Sequence, residues 1–85
     1  MKQFNYCVKD ELGIHARPAG LLVKEAAKYS SNIKLGVKGK EVDAKRIMGV
    51  MGLGAKKGDD VKVFVDGADE DVAMKALQSF FQSNL

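Results

Sequence analysis

The chain's one histidine, His15, stands in Gly13-Ile14-His15-Ala16-Arg17-Pro18. Imidazole titrates near neutral pH, so its neutral form attacks as a nucleophile, and a group bound to its nitrogen leaves readily once the ring is protonated. Reversible carriage of a phosphoryl group needs both properties; a serine would hold the group as a stable ester instead. Neither a carboxylate pair nor a serine stands beside His15 in sequence, which argues against hydrolytic catalysis. Arg17 adds a permanent cation whose planar fork can grip two phosphate oxygens. Taken alone, the same imidazole also fits an ordinary helix cap or a satisfied surface side chain. Its context favours chemistry.

That context is the start of a helix. Ala19, Leu22, Val23 and Ala26 recur at the spacing of an amphipathic stripe and predict a helix from Ala16 to about Tyr29, stopped near Ser30-Ser31-Asn32. The first N–H groups of a helix lack intrahelical acceptors, and the macrodipole places partial positive charge there, so the position favours an anion. Pro18 falls in the first turn, where a missing N–H costs nothing and a fixed φ supports the helix start.

Alternation marks the strands. Phe4, Tyr6 and Val8 share one phase against Gln3, Asn5 and Cys7, which predicts a strand over Lys2 to Val8. Ile33, Leu35 and Val37 form a second strand; a Lys38-Gly39 corner leads into a third at Glu41-Val42-Asp43, the two pairing as a hairpin. Val61, Val63 and Val65 form the fourth. Ile47 to Leu53 is apolar but punctuated by Gly49 and Gly52, with Gly54 just beyond; periodicity does not separate helix from strand at this length, and a short helix is favoured over a strand. A last helix opens at Ala68-Asp69-Glu70-Asp71, whose carboxylates suit the positive end of the helix dipole, with Ala73, Ala76, Leu77 and Phe80 as its buried stripe and Phe81 flanking it. The order is strand, helix, strand, strand, helix, strand, helix. So short a chain cannot cover both sides of four half-buried strands, and the helices are expected on one face of an antiparallel sheet, an α+β fold.

Eighty-five residues, 46% apolar and 29% charged, predict one ordinary domain over 1–85 with a modest core and no deep cavity. A multidomain enzyme is excluded. Lysines and arginines outnumber carboxylates 14 to 11, for a net charge of +3 spread along the chain, which suits an acidic partner and does not demand nucleic acid. With one cysteine and one histidine, no internal disulfide and no Cys/His metal cluster is available, so no metal or cofactor is expected. Cys7 reads as a small strand residue. No stretch approaches the apolar length of a membrane span or signal peptide, and a cytosolic protein is expected.

Two motifs, GIHARPAG at Gly13 to Gly20 and AKRIMGVMGLG at Ala44 to Gly54, carry a resemblance over the whole chain. It resembles the HPr family, the histidine-containing phosphocarrier proteins of the bacterial sugar phosphotransferase system. The resemblance implies an open-faced β-sandwich, four antiparallel strands with three helices on one face. It implies that His15 accepts a phosphoryl group on Nδ1 from enzyme I, at the expense of phosphoenolpyruvate, and passes it to the A domains of sugar permeases. Ala16 and Arg17 would supply backbone N–H groups to the phosphoryl oxygens, and Arg17 matches the family's active-site arginine. Many relatives from low-GC Gram-positive bacteria carry a kinase-regulated serine where this chain has Arg46; arginine has no hydroxyl, so regulatory phosphorylation is not expected at this position. A carrier must hold its phosphoryl group until a partner arrives, and no independent turnover is expected.

Two surfaces suit docking. Val50 and Leu53 can face the sheet together, which leaves Ile47, Met48 and Met51 turned away; an exposed methionine cluster repacks readily against different partners. Packing of that cluster on a second side is the alternative. On the first helix, Arg17, Leu21, Lys24 and Lys28 form a basic stripe around one apolar residue, beside His15 and on the helix that contains Gly20. The same stripe also fits a merely solvated face. The resemblance implies that both helices meet enzyme I and the permease A domains.

Two other functions compete with this reading. An RNA-recognition module has a similar element order, but no strand carries its basic-aromatic signature, and neither GxxG string, at Gly36 to Gly39 or Gly49 to Gly52, sits in a helix-helix loop. No nucleic-acid binding is expected. A regulatory module that acts on other proteins outside sugar uptake is the second alternative; family members of that kind tend to lack the acceptor histidine, which this chain has. Size and charge are compatible with a monomer.

Overall fold

The computed structural model describes residues 1–14 and 16–85. Along the chain run β1 (Lys2–Cys7), α1 (Ala16–Ala27), β2 (Asn32–Val37), β3 (Lys40–Asp43), α2 (Ile47–Gly52), β4 (Asp60–Asp66) and α3 (Glu70–Asn84). The four strands form one antiparallel sheet in the order β1-β4-β2-β3. β4 sits between β1 and β2, with Phe4 opposite Val63 and Leu35 opposite Val63 on its other side. The expected hairpin of β2 and β3 is present, with Val37 opposite Lys40 and Lys38 and Gly39 at positive φ in the corner.

Period-two alternation decides which face is covered. Ile33, Leu35, Val37, Val61, Val63 and Val65 are buried against the helices, while Gln3, Asn5, Lys34 and Lys62 face solvent on the open side. Phe64, half-buried, lies on that open face over Gly36. The helices contribute Ala19, Leu22, Ala26, Val50, Leu53, Ala73, Leu77 and Phe81 to one continuous core.

Three local expectations are corrected. β1 ends at Cys7, because Val8 N–H already donates to the Asp59 carbonyl in the adjoining loop at 3.0 Å. α1 ends at Ala27, where the chain tightens: Lys28 and Tyr29 donate to the carbonyls of Glu25 and Ala26, three residues back. In α3 the stripe is rotated. Phe81 is fully buried and Phe80 and Ala76 only partly so. Ala73, Leu77 and Phe81 recur every four residues, and the Phe81 ring meets Phe4 and Tyr6 edge-on at centroid distances of 5.9 and 5.4 Å. The aromatics of β1 select Phe81 as their partner.

The α1–β2 connection is fixed from α3. The Asp69 side chain, expected to suit the helix dipole, makes no cap bond to its own helix. Its carboxylate instead accepts the N–H groups of Ser30 and Ser31, at 2.9 and 3.0 Å, and the Ser31 hydroxyl. These donors hold the Asp69 carboxyl below its ordinary value, the Ser31 hydroxyl most strongly.

Candidate functional site

α1 begins at Ala16 with no acidic side chain in its first turn, so nothing in that turn neutralises the positive end of the helix. Ala16 and Arg17 are exposed and Pro18 is buried. Proline has no N–H to satisfy, so it seats the helix on the core at no hydrogen-bond cost. His15, the expected acceptor, lies outside the described residues; the residues on either side of it are within them.

The approach to the helix is a tight turn. Asp10 Oδ1 accepts the Leu12 N–H at 2.9 Å, and the Asp10 carbonyl accepts the Gly13 N–H at 3.0 Å. Gly13 takes φ +69° and Ile14 is buried. The Ile14 N–H donates to the carbonyl of Ala55, beyond α2, at 3.0 Å. A Cβ on Gly13 would stand 2.1 Å from that carbonyl oxygen and 2.8 Å from Lys56 Cα, so only glycine fits.

Arg17 and Pro18 line a shallow groove of about 260 Å³ together with Asp10, Leu21, Ser83 and Asn84. Among the described residues Arg17 forms no salt bridge, which leaves its fork available to an anion. Asp10, Ser83 and Asn84 were not expected here. The α3 residues carry no local signal, since only the docking of α3 brings its end to α1; Asp10 stood in the segment that breaks the β1 pattern.

The two docking surfaces adjoin. On α1, Leu21 is 42% exposed and Lys24 is exposed, while Lys28 pairs with Glu25 at 3.2 Å. On α2, Val50 is fully buried, whereas Ile47, Met48 and Met51 are 38%, 78% and 41% exposed. Gly20 joins the two: a methyl there would lie 3.9 Å from Ile47 Cδ1, so the helices approach closely where Gly20 has no side chain. Arg46, before α2, is exposed and reaches only a long contact of 4.0 Å with Asp43. Past α2, Asp59 is held below the ordinary carboxylate value, chiefly because Lys56 N–H donates to it at 2.9 Å, with Lys38 nearby.

Among the described residues no group of three or more His, Cys, Asp or Glu is placed to hold a metal ion, and no helix is long and apolar enough to cross a membrane.

Comparison with known proteins agrees with this geometry. A family described as the PTS HPr component phosphorylation site matches residues 2–83. The phosphocarrier protein HPr of Xylella fastidiosa is 45% identical over 83 residues, which span 98% of this chain and 93% of that protein. The crystal structure of HPr-C-His from Thermoanaerobacter tengcongensis superposes with a TM-score of 0.93 at 44% identity, over 98% of this chain and 93% of that one. Crh, a Bacillus subtilis catabolite repression protein described as a dimer with a swapped domain, superposes at 0.78 with 38% identity, over 100% and 98% of the two chains. With the strand order and the helix layer in place and GIHARPAG present in the sequence, the chain belongs to the HPr family, the phosphocarrier proteins, as distinct from the enzymes, of the phosphotransferase system.

Proposed function

We propose that His15 is the phosphoryl acceptor. Phosphorylated enzyme I presents the group, the bond from phosphorus to the donor atom breaks as a bond to His15 Nδ1 forms, and the phosphoryl group later leaves for the A domain of a sugar permease. Protonation of the imidazole makes it a better leaving group in the second transfer. Ala16 and Arg17 offer backbone N–H groups to the phosphoryl oxygens, Arg17 adds its guanidinium, and Pro18 fixes the helix start. The observation that carries the reading is the start of α1, with no acid in its first turn and an arginine that forms no salt bridge among the described residues, in a chain of the HPr family.

Arg17, Gly20, Leu21, Lys24, Ile47, Met48 and Met51 form the proposed docking surface, apolar at α2 and basic along α1. Enzyme I and the permease A domains then meet one face in turn, steered by charge. The working form is proposed to be a single domain acting as a cytosolic monomer, without nucleic acid as a partner, and with no kinase switch at Arg46.

The likeness to Crh supports a second reading, a regulatory module that binds other proteins without relaying phosphate. One experiment separates the two. With enzyme I and radiolabelled phosphoenolpyruvate, the chain is expected to take up acid-labile label that is lost in His15→Ala. A wild-type chain that takes up none would leave the regulatory reading, and label that persists in His15→Ala would move the acceptor elsewhere.

A further inference from the structure

The segment after α2 is a firm support. Leu53 and Ala55 are buried on either side of Gly54, which takes φ +66°. Lys56 N–H is held by Asp59, Gly58 N–H donates to the Val8 carbonyl at 2.9 Å, and Val8 N–H returns to the Asp59 carbonyl at 3.0 Å. The segment is thereby tied to the end of β1 and the start of β4. From this support the Ala55 carbonyl receives the Ile14 N–H, at a distance that only a residue 13 without Cβ permits.

We infer that Gly13 and Ala55 are positioning residues for phosphoryl transfer: the Ile14 N–H to Ala55 carbonyl bond anchors the chain immediately ahead of the acceptor. The inference rests on His15 being that acceptor. An in-line transfer between two proteins tolerates little misplacement, and an error of about 1 Å costs on the order of a hundredfold. Ile14 is the last described residue before the acceptor, and its amide is held by a second, rigid part of the chain. An anchor of this kind acts on the transfer step and leaves the docking surface alone. Its loss therefore lowers kcat with enzyme I and spares KM.

The test uses the full-length chain made by chemical synthesis. An ester in place of the amide between Gly13 and Ile14 removes the one donor and keeps every side chain. Its expected kcat is about tenfold to a hundredfold lower, with KM within about twofold and a native circular dichroism spectrum. Gly13→Ala is expected to slow transfer comparably, because its methyl meets the Ala55 carbonyl. Gly13→D-Ala accommodates the positive φ and turns its methyl away from Ala55, so it restores the rate. An ester chain with wild-type kcat overturns the inference. So does a D-Ala chain no faster than the Ala chain, a comparison that decides the matter alone if the ester chain does not fold. Failure of the acceptor assignment is separate: it appears as label retained in His15→Ala.

Discussion

At Arg17 charge and shape can be separated. The side chain is exposed, lines a groove at the start of α1, and has no salt-bridge partner among the described residues. A lysine keeps the charge and loses the planar fork. Charge-assisted hydrogen bonds contribute about 1.5–3 kcal/mol each. Arg17→Lys is therefore expected to lower kcat/KM for transfer from enzyme I roughly tenfold, and Arg17→Ala roughly a hundredfold, with the thermal midpoint little changed; equal losses for both would show that the planar fork counts and the charge does not. The place of Arg17 and Pro18 at a helix start was legible because it follows from local spacing. The groove partners Ser83 and Asn84 were not, and neither was the approach of Ala55 to Gly13. Both depend on where distant segments come to rest.

At the scale of elements, periodicity located the four strands and the two longer helices among the described residues, left Ile47 to Leu53 open between helix and strand, and misjudged the face of α3. Phe80 and Phe81 are adjacent and equally apolar, so the helical pattern alone leaves the stripe uncertain by one position. Contact with Phe4 and Tyr6 settles it in favour of Phe81. The partners of Asp69 were hidden for a similar reason. Its place beside Glu70 and Asp71 suggested service to the helix dipole, whereas its partners Ser30 and Ser31 lie across the fold. The donors around Asp69 favour its ionised form and lower its folded pKa below the unfolded value near 3.8. Its stabilising contribution is therefore complete above that value and disappears as pH falls through the lowered folded one. Asp69→Asn should be less stable than the parent at neutral pH, and the gap should narrow as pH falls below the ordinary carboxylate range. Urea midpoints measured across that range check this; a gap that stays constant would mean that the carboxylate charge does not matter. Asp59 and Glu70 shift in the same direction, so some acid sensitivity persists in the variant.

At the scale of the molecule, the helix layer presents a basic stripe on α1 beside an apolar patch on α2. The two parts should affect association differently. Raising salt from about 0.01 to 1 M shortens the reach of charge from about 30 to 3 Å, and should slow association with enzyme I at least tenfold. Met48→Glu, at a side chain 78% exposed, should instead weaken binding at every salt concentration while shifting stability by no more than about 0.5 kcal/mol. Stopped-flow association rates and a thermal melt distinguish the two effects. Strand number, the hairpin of β2 with β3 and a one-sided helix layer could all be expected from the residues. The neighbours of β4 could not be read from periodicity, because alternation tells a strand which way to face and not whom to sit beside. The observed answer places β4 between β1 and β2, and this bears on how the chain is born. While it is being translated, the segment that will become β1 emerges first and has no mate until residues 60–66 follow. At about 5–20 residues per second, that wait lasts roughly 3–10 s. The β2–β3 hairpin can pair beforehand, but only β4 joins it to the first strand, so a nascent chain halted before β4 would hold that strand unpaired.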